Sequence, residues 1–404
     1  MKKTILFVAY GGGHISALLP IIQVLSKTPD YNIEVLGLTT AVATLEKEGI
    51  PHFSFRHLIT DADKSALSWG EYLAKNTSHQ SVTKEETIAY MGLSYMDLIN
   101  RHGEEEAQRL YSENGRQAFL PLSVMETLFK RIRPDLVVTT SAPRAEKAAI
   151  LSARKLNIPA VCLVDLFGLW EVEWIKNPQY ADKVCVLSEY VKNIFTNAGR
   201  NPDDIIITGN PAFDRLAQQS LLKKSRELRV QRNWKDSKVI LWCSQPEPQA
   251  HPLTGNPGDP ELPRKIENIL IDLLPRHPQW RLVLRPHPND NVQFHNLPER
   301  VEVSSSQDDL EILLHAMDCI VTMTSTVGLQ GAMLGKPFLT IEMSVCTPYA
   351  PYSDMGIAYG VDTMTDIEEA LINILDKNWG PEIPPPISDG RATNNVIRVI
   401  QAML

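Results

Sequence analysis

Three absences narrow the class of this protein. The five cysteines of the 404-residue chain are widely spaced and form no Cys-x-x-Cys pair, which argues against a disulfide framework or a zinc site. No apolar run approaches the roughly 20 residues of a membrane-spanning helix, although a peripheral membrane contact stays compatible with this composition. Positive charge is in deficit, with 40 basic against 48 acidic residues, so we expect no nucleic-acid partner.

The N-terminus also lacks a secretory signal. Two lysines precede an apolar run at 4–9, but this run is short and no small-residue cleavage site follows it. We therefore interpret residues 4–9 as the first strand of a cytoplasmic protein whose cysteines are reduced and mostly buried. The hydrophobic fraction of 43% and charged fraction of 22% are typical of globular proteins, and the length predicts two domains.

Strand-length apolar runs alternate with helix-like segments, which predicts an α/β fold with parallel sheets. In the first half the runs lie at 4–9, 33–38, 135–140, 160–165, 183–188 and 204–209. In the second half they lie at 239–244, 281–286, 301–304, 319–324 and 337–342. Residues 59–131 are polar and helix-leaning, so we interpret them as a helical insertion in the first domain.

The same pattern predicts the domain limits. We expect an N-terminal domain over 1–215, a linker over 216–237 and a C-terminal domain over 238–390. A helix over 391–404 then ends the chain and could cross back to the N-terminal domain. The segment 244–263 is dense in proline and glycine and is long enough to be an active-site loop.

A glycine-rich turn with a histidine follows the first strand. Gly11, Gly12, Gly13 and His14 lead into a helical pattern, so backbone N–H groups can approach a ligand there. The turn is neither G-x-G-x-x-G nor a P-loop. Either it is a tight strand–helix connection, or Gly12 and Gly13 contact a ligand and His14 acts as a catalytic base.

The second half carries two candidate phosphate sites. Arg285 and His287 stand at the end of a strand, where ligands of parallel sheets bind. Ser325 and Thr326 lie where another strand gives way to a helix, so hydroxyls and helix N–H groups could hold a diphosphate. Gln330, one turn into that helix, could reach a sugar hydroxyl. The alternatives are a solvated turn and simple helix capping.

Two further groups of residues are candidates. Asn210 lies in a Gly-Asn-Pro turn between the two halves and either binds the ligand or only closes the turn. Asp165, Glu171 and Glu173 follow a strand end and are either alternative bases or loop charges. Trp170 and Trp174, beside them, form either a stacking wall or part of the core.

Taken in order, these segments resemble the GT-B superfamily of nucleotide-sugar enzymes. The GGGH turn is similar to the N-terminal loop of MurG-type enzymes and UDP-glycosyltransferases, where such a histidine lines the acceptor side. The segments TGNPAFD, RPHP and TSTVGLQGAMLGKP resemble those of bacterial surface-polysaccharide transferases and non-hydrolysing UDP-N-acetylglucosamine 2-epimerases. The resemblance implies two Rossmann-like domains facing a cleft, with the donor diphosphate over Ser325 and Thr326.

Two departures from these families bear on function. Gln330 occupies the position of the acidic residue that holds the ribose, and an amide bonds a hydroxyl more weakly than a carboxylate does. The His-Arg-Arg-Glu-Asn segment of the epimerases is replaced by SQPEPQAHP, which counts against 2-epimerase activity. We therefore predict a metal-independent glycosyltransferase of polysaccharide biosynthesis.

For such a glycosyltransferase, a nucleotide-diphosphate sugar is the co-substrate, and we expect no cofactor. The acceptor is a hydroxyl of a glycan, a lipid-linked sugar or a small molecule, and His14 is its base. Three alternatives remain: a hydrolysing or non-hydrolysing nucleotide-sugar 2-epimerase that uses Asp165, Glu171 or Glu173, a CDP-glycerol-type phosphotransferase, and a non-catalytic nucleotide-sugar-binding protein.

Overall fold

The chain forms two compact units. Met1–Ala212 and Arg391–Leu404 make up the first unit, and Phe213–Gly390 makes up the second. The computed structural model describes residues 2–75, 81–251, 254–287, 290, 292–305, 307–377, 379–381 and 389–404. Pro288 of the RPHP segment and residues 252–253 of the loop 244–263 lie outside these described residues.

The first unit alternates strands and helices around one sheet. Its strands are β1 (Lys3–Ala9), β2 (Tyr31–Gly37), β3 (Leu136–Thr140), β4 (Ala160–Leu163), β5 (Lys183–Val186) and β6 (Ile205–Ile207). Its helices are α1 (Gly13–Leu25), α2 (Ala41–Lys47), α3 (Lys64–Leu73), α4 (Lys84–His102), α5 (Glu104–Asn114), α6 (Leu122–Ile132), α7 (Ala145–Lys155), α8 (Val172–Ile175) and α9 (Glu189–Asn197). The helices α3 to α6 fill most of the segment 59–131.

The first sheet is parallel, with strand order β2-β1-β3-β4-β5-β6. Its central strands are continuously apolar because helices cover both faces, and β3 is buried along its whole length. The core also includes Val396, Ile397 and Ile400 from the last helix of the chain. The carboxyl ends of β1, β3 and β4 therefore lie side by side at one edge of the sheet.

The second unit repeats this architecture. Its strands are β7 (Lys238–Cys243), β8 (Trp280–Arg285), β9 (Val301–Val303), β10 (Cys319–Thr322), β11 (Phe338–Ile341) and β12 (Tyr359–Val361). Its helices are α10 (Gln219–Gln231), α11 (Leu262–Leu273), α12 (Leu310–Ala316), α13 (Thr326–Met333) and α14 (Ile367–Leu375). The chain then returns to the first unit with α15 (Ala392–Ala402).

The second sheet is also parallel, in the order β12-β11-β10-β7-β8-β9. Its edge strand β12 was not predicted, because its three residues include glycine and make no apolar run. Two parallel sheets with crossover helices confirm the predicted α/β class and the two Rossmann-like domains.

The segment predicted as a linker is part of the second unit. Residues 216–237 contain α10, which packs along α12, and Arg229 of α10 pairs with Asp318 at 2.9 Å. The sequence of this segment is rich in charge, and its Arg229 is held by the unit's own carbonyls and carboxylate. The chain passes between the units earlier, after Ala212.

Two composition-based expectations can be compared with the structure. All five cysteines are free thiols, four of them buried and Cys346 half-buried. Among the described residues, no helix is both long enough and apolar enough to cross a membrane.

Candidate active site at the edge of the first sheet

The glycine turn after β1 allows two segments to approach closely. Gly12 has a φ of 67°, a conformation that glycine adopts without strain. A Cβ on Gly11 would lie 1.7 Å from Oγ1 of Thr40, and a Cβ on Gly13 would lie 3.3 Å from both carboxylate oxygens of Asp165. The absence of side chains here brings the start of α1 against the loops after β2 and β4.

His14 is held by a polar chain that runs into the core. Its Nδ1 lies 2.7 Å from Oγ1 of Thr140, the last residue of β3. The Thr140 hydroxyl donates to Oε2 of Glu146 at 2.5 Å. Because that hydroxyl proton is directed to the carboxylate, the Thr140 oxygen accepts from Nδ1–H. This tautomer leaves Nε2 of a neutral His14 as the proton acceptor.

Glu146 anchors this chain from a fully buried position on α7. It also accepts from the backbone N–H groups of Tyr10 at 2.7 Å and Ala142 at 3.2 Å. Burial raises the pKa of its carboxyl, while His14 and these hydrogen bonds oppose that rise. Every polar contact of Glu146 is therefore directed to the loops that carry the candidate site.

Two further carboxylates face the same edge. Oδ2 of Asp165, just after β4, lies 3.9 Å from Nδ1 of His14, and both side chains are partly exposed. The Asp165 N–H donates to Oγ of Ser141 at 2.9 Å, and that hydroxyl donates to Oε1 of Glu171 at 3.3 Å. Burial, and then the charge of Asp165, raise the pKa of Glu171. One imidazole and two carboxyls with different surroundings are suited to proton transfer.

The other candidates near this edge point elsewhere. Glu173 is largely exposed and pairs with Lys176 at 3.3 Å. Trp174 is half-buried with the Lys147 ammonium 4.8 Å from its ring centroid, whereas Trp170 is 43% exposed. Asn210 is buried, and its side chain accepts from the N–H of Ala212 at 3.0 Å, so it closes its own turn.

In the second unit, the helix α13 begins at the predicted hydroxyl pair. Ser325 caps α13 by accepting from the N–H of Val327 at 3.3 Å, and Thr326 is the first residue of the helix. Gln330 lies one turn further and is partly exposed. Thr324, the residue before Ser325, is held by Gln245, which follows β7. Oε1 of Gln245 accepts from both the N–H and the hydroxyl of Thr324.

Arg285 does not share that turn with Ser325. The strand β7 separates β8 from β10, so the two strand ends are about 10 Å apart. The guanidinium donates to Oγ of Ser304 at 2.7 Å and to the carbonyl of Ser305 at 3.1 Å, beyond β9. His287 follows two residues later and is half-buried.

The segment that replaces the epimerase motif is bonded to its own unit. Glu247 accepts from the Ser344 hydroxyl at 2.6 Å and from the N–H of Val345 at 2.8 Å. The ring of His251 stacks on Tyr349 with centroids 4.9 Å apart. These residues position the loop after β11.

The structure thus brings Gly13, His14 and Asp165 together, and it adds residues that sequence analysis missed. Thr140, Ser141 and Glu146 were overlooked, although the hydroxyls of 139–141 at a strand end were a usable signal. Glu146 looked like an ordinary charge on a helix, and only the tertiary structure shows it to be buried.

Comparison with known proteins identifies a family. Residues 177–401 match the model of the family described as UDP-N-acetylglucosamine 2-epimerase. No curated protein sequence matches the chain.

Solved structures share the fold along nearly the whole chain. The UDP-GlcNAc 2-epimerase from Neisseria meningitidis bound to UDP-GlcNAc has a TM-score of 0.60 at 17% identity, covering 99% of this chain and 100% of that one. The Methanocaldococcus jannaschii enzyme has a TM-score of 0.59 at 15% identity, covering 99% of each chain. A glycotransferase of kitacinnamycin has a TM-score of 0.55 at 16% identity, covering 100% of this chain and 96% of that one.

These comparisons confirm the resemblance to GT-B nucleotide-sugar enzymes and correct the predicted reaction. The prediction of glycosyl transfer is wrong, because the family match is to 2-epimerases. The match covers residues 177–401, so the replacement of the His-Arg-Arg-Glu-Asn segment does not exclude the chain from the family. The coarser prediction, an enzyme of nucleotide sugars, is supported.

Proposed function

Since the chain belongs to the UDP-N-acetylglucosamine 2-epimerase family, we propose that it inverts carbon 2 of the sugar in a UDP-linked N-acetylhexosamine. Carbon 2 has no neighbouring carbonyl to stabilise a carbanion, so a base that removes its proton must act as the UDP on carbon 1 leaves, and the C–H electrons then form a C1–C2 double bond. When UDP, or water in a hydrolytic reaction, adds to carbon 1, an acid protonates carbon 2 from the other face. The chain must therefore supply two proton-transfer groups beside the sugar.

The observation that carries this proposal is the group formed by His14, Asp165 and Glu171. Ser141 links the last two through hydrogen bonds of 2.9 Å and 3.3 Å, and Asp165 lies 3.9 Å from the imidazole. We assign Asp165 as the base, because its partly exposed carboxylate can reach a ligand, and we assign His14 as the group that holds this carboxylate in place from 3.9 Å. Glu171 suits the acid because its pKa is raised, first by burial.

If proton transfer takes place in the first unit, it does not need the family motif that SQPEPQAHP replaces at 244–252. The residues that replace the family motif are engaged by their own unit, with Gln245 on Thr324 and Glu247 on Ser344. In the same proposal, Ser325, Thr326 and Gln330 bind the nucleotide, aided by the positive end of the α13 helix dipole.

The test is incubation with UDP-N-acetylglucosamine alone, because an epimerase needs no acceptor. Proton NMR of the mixture should show a second UDP-N-acetylhexosamine, or the free epimer together with UDP if the reaction is hydrolytic. Binding of the nucleotide sugar by calorimetry without either product would favour the non-catalytic alternative and contradict the proposal.

A further inference from the structure

A cavity with charged and polar residues in its lining opens beside the candidate active site, over the carboxyl ends of β1 and β2. It encloses about 200 Å³, and its polar lining includes Tyr10, Thr39, Thr40, Tyr90, Arg116 and Arg144. Ligand pockets usually exceed about 300 Å³. The cavity is therefore the size of one group of a ligand rather than of a whole nucleotide sugar.

The charge of this cavity is positive. Arg116 and Arg144 both line it, and within the described part of the chain neither guanidinium pairs with a carboxylate. Glu86 also lines it, but its two oxygens accept from the backbone N–H groups of Phe55 at 3.2 Å and Arg56 at 3.1 Å. The Glu86 carboxylate that lines the cavity is thus bonded to the backbone of another loop.

Arg144 is held in a costly arrangement. Its φ of 69° lies in the left-handed region, which arginine rarely adopts. The guanidinium lies over the ring of Tyr10 with its Cζ 5.0 Å from the centroid, and its Nε is buried without a hydrogen-bond partner among the described residues. The outer N–H groups of a guanidinium are the donors that a carboxylate or phosphate accepts from.

We propose that this cavity is a subsite for an anionic group, a carboxylate or a phosphate, held by Arg116 and Arg144. Tyr10, the residue after β1, connects the cavity to the candidate active site. Its backbone N–H donates to Glu146, and the same residue lines the cavity. The anionic group could come from two sources. The first is an acidic substituent of a substrate sugar bound at His14, which rests on the proposed function. The second is a free anion.

The test measures binding rather than turnover, so that it does not depend on the epimerase proposal. Calorimetry on the full chain would use UDP-N-acetylglucosamine, the corresponding UDP-N-acetylglucosaminuronic acid, and inorganic phosphate. The variants are Arg116→Gln, Arg144→Gln and the double variant. Arg131→Gln is the matched control, since Arg131 is exposed on α6 away from this cavity. Arg144→Lys keeps the charge, and circular dichroism checks the fold.

The double variant should weaken binding of the acidic nucleotide sugar at least tenfold, whereas binding of the neutral one changes less than threefold. Arg144→Lys should retain most of the affinity. Selective loss of phosphate binding alone would identify a free anion as the source. Equal effects on neutral and acidic ligands, unchanged affinities, or wild-type protein that binds neither anion would overturn the subsite. Failure of the wild-type protein to bind UDP-N-acetylglucosamine would instead contradict the proposed function.

Discussion

The imidazole of His14 and the hydroxyl of Thr140 lie 2.7 Å apart, between Nδ1 and Oγ1, with the buried carboxylate of Glu146 behind them. This series of hydrogen bonds orients the imidazole ring of His14 and selects its tautomer. Thr140 and Glu146 are therefore positioning residues that act through His14, and neither needs to touch substrate.

Substitution of Thr140 tests this role. Thr140→Val removes the hydroxyl but keeps the shape, so His14 loses its acceptor and Glu146 loses a donor. We expect the epimerisation rate to fall about 10- to 100-fold and the free energy of unfolding to fall by about 1–3 kcal/mol. Thr140→Ser should restore both quantities. A wild-type pH–rate profile in Thr140→Val would contradict the positioning role.

The two carboxylates are tested against a neighbour. Asp165→Asn and Glu171→Gln should each reduce turnover about 10²- to 10⁴-fold, because each removes a proton-transfer group. Glu173→Gln, two residues further along in α8, is the matched control, and its exposed side chain predicts no change. Equal losses in Glu173→Gln and Glu171→Gln would show that the loop, not the acid, matters.

The pH dependence of the reaction should follow Glu171. Burial, reinforced by the charge of Asp165, raises the pKa of this carboxyl, so it stays protonated to higher pH than an ordinary glutamate. If Glu171 is the acid, activity falls as pH rises through that raised pKa. The profile of kcat against pH measures this limb, which should be absent from the residual activity of Glu171→Gln.

Two glycines of the first turn should respond differently to alanine. At Gly11 the new Cβ would overlap Thr40, so Gly11→Ala should lower the free energy of unfolding by about 1–3 kcal/mol. At Gly13 the Cβ would press on the Asp165 carboxylate at 3.3 Å. Gly13→Ala should therefore reduce turnover with little change in Tm. A fully active Gly13→Ala would contradict this prediction and show that the Asp165 carboxylate tolerates a shift of a few tenths of an ångström.

Glu267 on α11 should make stability depend on pH. Burial raises the pKa of its carboxyl from 4.5 to about 7, against the opposing charge of Arg264. Between these values the unfolded chain has released a proton that the folded chain keeps, so the free energy of unfolding falls as pH rises. Glu267→Gln removes this effect, which is on the order of 3 kcal/mol.

Urea denaturation at pH 4.5 and pH 8 measures the Glu267 effect. From pH 4.5 to pH 8, the free energy of unfolding of Glu267→Gln should increase relative to that of the wild-type protein. Glu85→Gln, an exposed change on α4, is the control and should show no such increase. A constant difference between Glu267→Gln and wild type would contradict the linkage.

The sequence predicted the fold better than it predicted the site. Apolar runs such as 135–140 identified buried parallel strands because both of their faces must be covered. The short strand β12 and the packing of α10 were missed, since tertiary contacts stabilise them more than local pattern does. For the site, His14 and Asp165 were each singled out because they follow a strand end, and in the structure Nδ1 of His14 lies 3.9 Å from Oδ2 of Asp165.

The remaining site residues depend on contacts that no spacing reveals. Arg285 was predicted to bind phosphate, yet its guanidinium is engaged by Ser304 and Ser305 beyond β9. Glu146 was not singled out, because its place on an alanine-rich helix resembles that of a solvated charge. Burial of a charge and the direction of a long side chain are both set by the neighbouring strands and loops.

The most direct test of the central claim is hydrogen exchange at carbon 2 of the sugar. UDP-N-acetylglucosamine is incubated with the protein in D₂O without an acceptor, and NMR follows the carbon-2 proton. An acid–base inversion by Asp165 and Glu171 predicts deuterium at carbon 2 of the epimer, at a rate that falls sharply in Asp165→Asn. An epimer that retains its original hydrogen, or no loss of the signal at all, would contradict it.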